Sequence, residues 1–285
     1  MGVKIVTDST AYLDPAILEK YQISEVSLTV NFGAHSFLEG TVKDYHPFYQ
    51  ELRSSKIFPT TSQPAAGDFL ETYRRLTEDG SSVISIHISG KLSGTVRSAL
   101  TAAGMLEGRD MSVVDSMNTA APLGYMVEEA GKMALSGKSK EEILAKVEYM
   151  RQNSHLLILV DTLEYLRRGG RIGGAAALLG NLLQVKPLLH LENGVIDVLT
   201  KVRTRDKAVR QLVEEAEKIL GHDWEHARIG VLHVDHPAGA EQIRNLLKEK
   251  YPFINPDFAQ VGPVLGSHTG PGATGIAISR VDGPF

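Results

Sequence analysis

Short apolar runs alternate with amphipathic stretches along most of this chain, and that alternation constrains its fold more than any single motif does. Residues 3–7, 25–32, 82–88, 113–114, 156–160, 185–191, 195–200, 227–234 and 258–264 read as strands. Helical spacing lies between most of them. A helix opens at Asp14-Pro15 with proline in its first turn, and 64–78 sets Phe69, Tyr73 and Leu76 on one stripe. Further helices are expected from after Asp115-Ser116 to about Leu135, and over 140–152, 205–220 and 238–250. Strand followed by helix, repeated, buries the strands beneath helices, so the expected class is α/β with mainly parallel sheets. Asn193-Gly194 between two strand-like runs signals one hairpin. At 285 residues the chain exceeds the usual size of a single core, and two α/β domains are expected, 1–158 and 159–285.

Composition removes several classes of function. The net charge of −4 supplies no global attraction to nucleic acid, and no long basic run forms a membrane-surface arm. The absence of cysteine excludes disulfides, thiolate nucleophiles and Cys-based metal sites. Residues 1–7 lack the apolar run of a signal peptide, and nowhere do about eighteen apolar residues run together. A cytoplasmic protein with no integral membrane association is expected.

Spacing removes several motifs as well. Gly270, Gly272 and Gly275 satisfy the dinucleotide G-x-G-x-x-G pattern, but no helix or crossover unit follows, since Ile276-Ala277-Ile278-Ser279 reads as a short terminal strand. Gly137-Lys138-Ser139 imitates a phosphate loop, yet Gly131 lies six positions before Gly137 where the motif needs five, and the segment joins two helices. In His233-Val234-Asp235-His236 a strand would turn His236 away from His233 and Asp235, so a strand end and helix cap before Pro237 fit better than a metal site. No G-x-S-x-G or H-E-x-x-H appears. No cofactor and no metal is expected.

What remains is a set of hydroxyl-rich junctions after expected strands. They are Asp8-Ser9-Thr10, Pro59-Thr60-Thr61-Ser62-Gln63-Pro64, Ser89-Gly90-Lys91-Leu92-Ser93-Gly94-Thr95 and Asp115-Ser116. Such loops can cap helices or direct hydroxyls and amides at an anion, and open α/β sheets bind ligands at these carboxyl ends. The segment 267–275 adds an imidazole, His268, beside Thr269 on a glycine-rich backbone able to approach a ligand closely.

Taken in order, these segments resemble the DegV family, which includes the fatty-acid-binding subunits of bacterial fatty acid kinase. The resemblance runs nearly end to end: Asp8-Ser9-Thr10, Pro59–Pro64, Ser89–Ser98, Thr162–Ile172, Lys186-Pro187, Lys201–Lys207 and His268–Gly275. It implies two α/β domains with one long-chain fatty acid buried between them. It also implies that Thr61, Ser93 and His268 receive the carboxylate, with Thr60, Ser62, Gly94, Thr95 and Thr269 as neighbours. Arg203 matches a basic position near the head group, and Arg205, two residues on, is an equal candidate. The family's scheme further implies a separate kinase subunit that phosphorylates the bound fatty acid with ATP to an acyl phosphate, in the service of phospholipid synthesis. This chain would then be a lipid-binding accessory subunit rather than an enzyme.

The apolar, glycine-interrupted region carrying Leu163, Leu166, Ile172, Ala175, Ala176, Leu178, Leu179, Leu182 and Leu183 reads either as ordinary core or as a lining for the acyl tail. Arg167, Arg168 and Arg171 beside it read either as a helix end complementing its dipole or as a docking patch for the kinase. The competing function is a stand-alone phosphotransferase or hydrolase with Ser93 as nucleophile and His268 as acid–base, oriented by Asp8 or Asp115 through the fold.

Overall fold

The structure is a computed structural model that describes residues 2–179 and 186–282, which divide into two compact units. The first comprises 2–43 and Thr61–Asn153, the second Asp44–Thr60 and Ser154–Asp282. A single cut near 158 leaves 44–60 with the first unit, whereas its packing groups it with the second. Tyr49 in that segment is fully buried, donates its hydroxyl to the Val261 carbonyl at 2.6 Å and lays its ring against the Cα of Gly266.

In chain order the elements are β1 (Val3–Asp8), α1 (Pro15–Lys20), β2 (Ser24–Val26), β3 (Thr29–Phe32), β4 (His35–Leu38), α2 (His46–Ser54), β5 (Thr60–Ser62), α3 (Ala66–Leu76), β6 (Ser82–His87), α4 (Thr95–Gly104), β7 (Met111–Asp115), α5 (Ala120–Leu135) and α6 (Lys140–Gln152). There follow β8 (Ser154–Leu159), α7 (Glu164–Arg168), a 3-10 segment (Gly173–Leu178), β9 (Lys186–Glu192), β10 (Val195–Val202), α8 (Arg205–Leu220), β11 (Ala227–His233), α9 (Pro237–Lys250), β12 (Asp257–Gln260), α10 (Pro263–Thr269) and β13 (Thr274–Arg280).

The first unit is built on a four-stranded, all-parallel sheet in the order β2-β1-β6-β7. Val6, Val26 and Val83 of this sheet bury against Phe69 and Tyr73 of α3 and Ala99 and Ala102 of α4. One expected strand, 25–32, proves to be two. Between them the Leu28 amide donates to the Ser9 hydroxyl at 3.1 Å and its carbonyl accepts from Glu39 at 2.9 Å, so the backbone leaves the ladder there. β3 then joins a second, three-stranded sheet in the order β4-β3-β5. Gly137-Lys138-Ser139 is the turn between α5 and α6, closed by a reciprocal pair in which Ser139 accepts from the Glu142 amide and Glu142 accepts from the Ser139 amide.

The second unit has a six-stranded sheet in the order β10-β9-β8-β13-β11-β12. Among the described residues, the parallel pairing that characterises the first sheet is met here only between β11 and β12; the other ladders are antiparallel. Two reversals account for three of the four antiparallel ladders. Asn193 and Gly194, both at positive φ (50° and 78°), turn β9 tightly into β10. The glycine segment after α10 sends β13 back through the centre of the sheet, where it pairs with β8 on one side and β11 on the other. Leu157, Leu159, Val231, Ile276 and Ile278 face Leu212 and Ala216 of α8 and Ile243 and Leu247 of α9. Removing one such leucine side chain costs about 2–5 kcal/mol. No helix among the described residues is long and apolar enough to cross a membrane.

Candidate functional site

In the first unit the chain leaves β1 for β2 on one side, while β6 lies on the other. The carboxyl ends of β1 and β6 therefore flank a topological switch point, the place where open parallel sheets receive ligands. Asp8-Ser9-Thr10 follows β1 and Ser89–Thr95 follows β6. Beneath these loops lies a fully buried polar chain. Asp8 accepts from the Thr10 amide and hydroxyl (3.1 and 2.6 Å), from the Ile88 amide (2.9 Å) and from His87 Nδ1 (3.0 Å). Since a carboxylate oxygen accepts, the His87 proton sits on Nδ1, and Nε2 accepts from the Ser85 hydroxyl at 2.6 Å. Ser85 in turn accepts from Tyr73 at 2.7 Å, and burial pushes that phenol well above its ordinary range. Four acceptances satisfy Asp8 and stitch the end of β6 to the end of β1, which fixes the start of the Ser89–Ser93 loop. Asp115 is committed likewise, accepting from Gly90 and Met117 amides at 3.1 and 2.9 Å. These bonds give Asp8 and Asp115 structural work within their own unit. The sequence signal for the chain was the polar pair Ser85 and His87 at alternate positions inside an otherwise apolar strand.

The hydroxyl loops do not cap helices in the way their composition suggests. The amide of Ala65, which precedes α3, donates instead to the Asp68 carboxylate at 2.9 Å, leaving Thr60, Thr61 and Ser62 on β5. Ser62 is exposed and accepts from Asn31 at 3.4 Å, Thr60 is exposed, and Thr61 is half-buried. Ser93 is half-buried and exchanges a hydrogen bond with the Thr95 hydroxyl at 2.8 Å, while Thr95 itself is buried. The partners of the Ser93 hydroxyl among the described residues are both in Thr95, whose amide also donates to it at 3.4 Å, while the Ser93 amide donates to the Ser89 carbonyl at 3.1 Å. Gly94, at the head of α4, brings the two loops together. A Cβ built there would fall 2.6 Å from Gln63 Nε2, so the Thr61 strand and the Ser93 loop touch through Gln63.

In the second unit the structure corrects the expected loop at 267–269: Ser267, His268 and Thr269 occupy the last turn of α10. Ser267 and Thr269 donate their hydroxyls back to the Pro263 and Leu265 carbonyls at 2.7 and 3.0 Å. The glycines of this segment meet their own unit. Gly270 packs on the Tyr165 ring, Gly272 on the Asp161 carboxylate and Gly275 on the Leu157 carbonyl. His268 is buried, with the Cα of Gly169 against its ring. Burial, aided by the positive charge of Arg171, lowers its imidazole to about 4, so the ring is neutral at ordinary pH. Arg171, which the sequence grouped with a docking patch, therefore acts on His268 and also donates to the Gly169 carbonyl at 2.6 Å. Arg167 and Arg168 both hold Glu164, whose carboxyl their hydrogen bonds lower to about 2, and Arg168 lies 3.9 Å over the Phe58 ring.

Arg203 and Arg205 do not share a strand face as a continued β10 would have them. Thr204 caps α8, and Arg205 is its first residue. Arg205 donates to Asp161 at 2.6 Å and to the Gly272 carbonyl at 3.1 Å, whereas Arg203 is exposed and makes no hydrogen bond or ion pair with any described residue. Of the apolar stretch, Leu163, Leu166, Ala175 and Leu178 are buried, Ile172 is half-buried, and Ala176 and Leu179 are exposed. Leu182 and Leu183, and Val185 of the expected strand, lie outside the described residues. In 233–236, Asp235 turns its carboxylate to Arg53 and His46 of α2, and His236 heads α9. No group of three or more histidine or acidic side chains among the described residues is placed to hold a metal ion.

Comparison with known proteins decides the family. Residues 2–281 match the family model described as "Uncharacterised protein, DegV family". The chain belongs to the DegV family. A DegV domain-containing protein of Streptomyces coelicolor is 40% identical over 279 residues, covering 97% of this chain and 98% of that one. Two solved DegV structures extend the likeness to the fold. One, described as fatty acid binding of a DegV family protein from Thermus thermophilus, superposes with a TM-score of 0.92 at 34% identity, covering 98% of this chain and all of that one. The other, DegV of Bacillus subtilis, described as a fatty acid binding protein, gives 0.90 at 35% identity, with 98% and 99% covered. The mixed α/β architecture described above is thus that of DegV proteins.

Proposed function

We propose that this chain binds a long-chain fatty acid in the cytoplasm and presents its carboxylate to a separate kinase subunit, which phosphorylates it with ATP to an acyl phosphate. What carries the reading is the likeness over almost the whole chain to two solved proteins described as binding fatty acids, at 34% and 35% identity. Thr61, Ser93 and His268 are proposed to receive the carboxylate. Local chemistry supports each. Thr61 and Ser93 belong to loops that touch through Gln63 and Gly94 at the carboxyl side of the parallel sheet. The buried imidazole of His268 is neutral, and the nearby charge of Arg171 favours an anion. Exposed and uncommitted, Arg203 suits a head-group or partner contact better than Arg205 does.

Burying about sixteen methylene-sized groups at roughly 0.8 kcal/mol each gives the tail a gross gain of about 12 kcal/mol, part of which ordering consumes. The head contacts then fix orientation, holding a carboxylate oxygen for attack on the γ-phosphorus as ADP leaves. Arg167 and Arg168 are proposed as part of the surface that the kinase meets.

Native mass spectrometry of the purified protein tests the binding step. One acyl chain should co-purify, and His268→Ala or Ser93→Ala should lower its retention. A protein that carries no acyl ligand and takes up none when fatty acids are added would overturn the reading. Trapping of an acyl phosphate only when ATP and a partner kinase are both present tests presentation. Turnover by the isolated chain would favour a stand-alone enzyme instead.

A further inference from the structure

Gln63 stands next to the proposed head-group residues with nothing else to do. Pro64 follows it, and a residue before proline is held extended, so Gln63 continues the line of β5. Thr61 and Gln63, two positions apart on extended backbone, therefore project to the same side. Gln63's carboxamide lies on the Cα of Gly94: a Cβ at that position would fall 2.6 Å from Nε2 and 2.9 Å from Oε1. Gly94 directly follows Ser93 and heads the ten-residue helix α4. The side chain is exposed, and its carboxamide forms no hydrogen bond with any described residue. Thr61, Gln63 and Ser93 thus stand along one contact within one unit.

We propose that Gln63 is a further head-group recognition residue, whose Nε2 donates to the ligand's carboxylate beside Thr61 and Ser93. The inference rests on the fatty-acid reading and adds to it a residue that the family resemblance did not assign. A glutamine is neutral, so it helps to hold the anion without adding a charge that would trap it. It also rationalises Gly94: any side chain there would push the carboxamide out of place.

Calorimetric affinities of lipid-free protein for a fatty acid of about sixteen carbons and for the alcohol of the same chain test the proposal. Gln63→Ala should weaken the acid by about tenfold or more, as loss of a hydrogen bond to a charged group does, and the alcohol by less than about twofold. Gln63→Glu, which sets a like charge beside the carboxylate, should weaken the acid further still. Unchanged affinity of Gln63→Ala for the acid, or equal losses for acid and alcohol, would overturn the role of Gln63 while leaving fatty-acid binding intact. Failure of the unaltered protein to bind the acid would overturn both.

Discussion

The Cα of Gly169 is packed so closely on the imidazole of His268 that a Cβ at position 169 would collide with Nδ1. Gly169 ends α7 with an ordinary helical φ of −73°, so its backbone would accept alanine and the obstacle is purely steric. Two segments far apart in sequence, the Arg-Arg-Gly-Gly-Arg run and the glycine segment after α10, are thereby locked in one unit.

Gly169→Ala should therefore displace the His268 ring and cost about 1–3 kcal/mol of stability, the usual range for overpacking. Urea denaturation measures the loss. On the proposed fatty-acid reading, acyl retention should fall with it, and an alanine variant as stable as the parent would contradict the packing described.

His268 also makes a pH prediction. The unfolded chain takes up this proton near pH 6.5 and the folded one only near 4. Between those values the unfolded state holds more protons, so stability is full above about pH 6.5 and falls as pH drops toward 4. At pH 5 the loss amounts to about 2 kcal/mol. Burial also lowers His155, His233 and His236, so the measurement is a comparison: urea melts of lipid-free parent and His268→Gln at pH 7.5 and 5. The parent should lose about 2 kcal/mol more than the variant between the two.

Why some of this was legible in the sequence and some was not follows from the range of the forces involved. Helices such as Lys140–Gln152 and Arg205–Leu220 were readable to the residue because their caps, Ser139 and Thr204, and their apolar stripes are local. Strand direction was not, because β13 is defined by partners about 45 and 120 residues away, and an apolar run looks the same in a parallel or an antiparallel ladder. The helix α2 and its bond from Tyr49 to Val261 have the same long-range origin. Thr61, Ser93 and His268 were named from family resemblance. Gln63 and Gly169 emerge only from what lies against Gly94 and His268.

Glu25 carries a second pH signature, of opposite sense. Burial foremost, then the neighbouring charge of Asp8, raise its carboxyl to about 6 against the Ser27 hydrogen bond. The folded protein thus holds this proton more tightly than the unfolded one, and stability declines as pH rises from about 4.5 through 6. Glu25→Gln should stabilise the protein by about 2 kcal/mol at pH 7 and by almost nothing at pH 4. A gain of the same size at both pH values would mean that the carboxyl is not the cause.

Arg203 and Arg205 should separate cleanly. Arg205 joins the start of α8 to Asp161 after β8 and to the Gly272 carbonyl before β13, and Lys186 adds a weaker approach to Asp161 at 3.6 Å. Its removal leaves a carbonyl and a carboxylate short of their donor in a partly solvated position, where screening limits the cost to about 1 kcal/mol, or a few degrees in melting temperature. Arg203→Ala removes no hydrogen bond or ion pair with any described residue and should leave the melting temperature almost unchanged. If Arg203 serves the head group or the kinase, its loss should appear instead in acyl retention or in acyl phosphate formation. Thermal melts of the two alanine variants, run beside the phosphorylation assay, therefore assign one arginine to the fold and the other to function. A destabilised Arg203→Ala would put both in the fold.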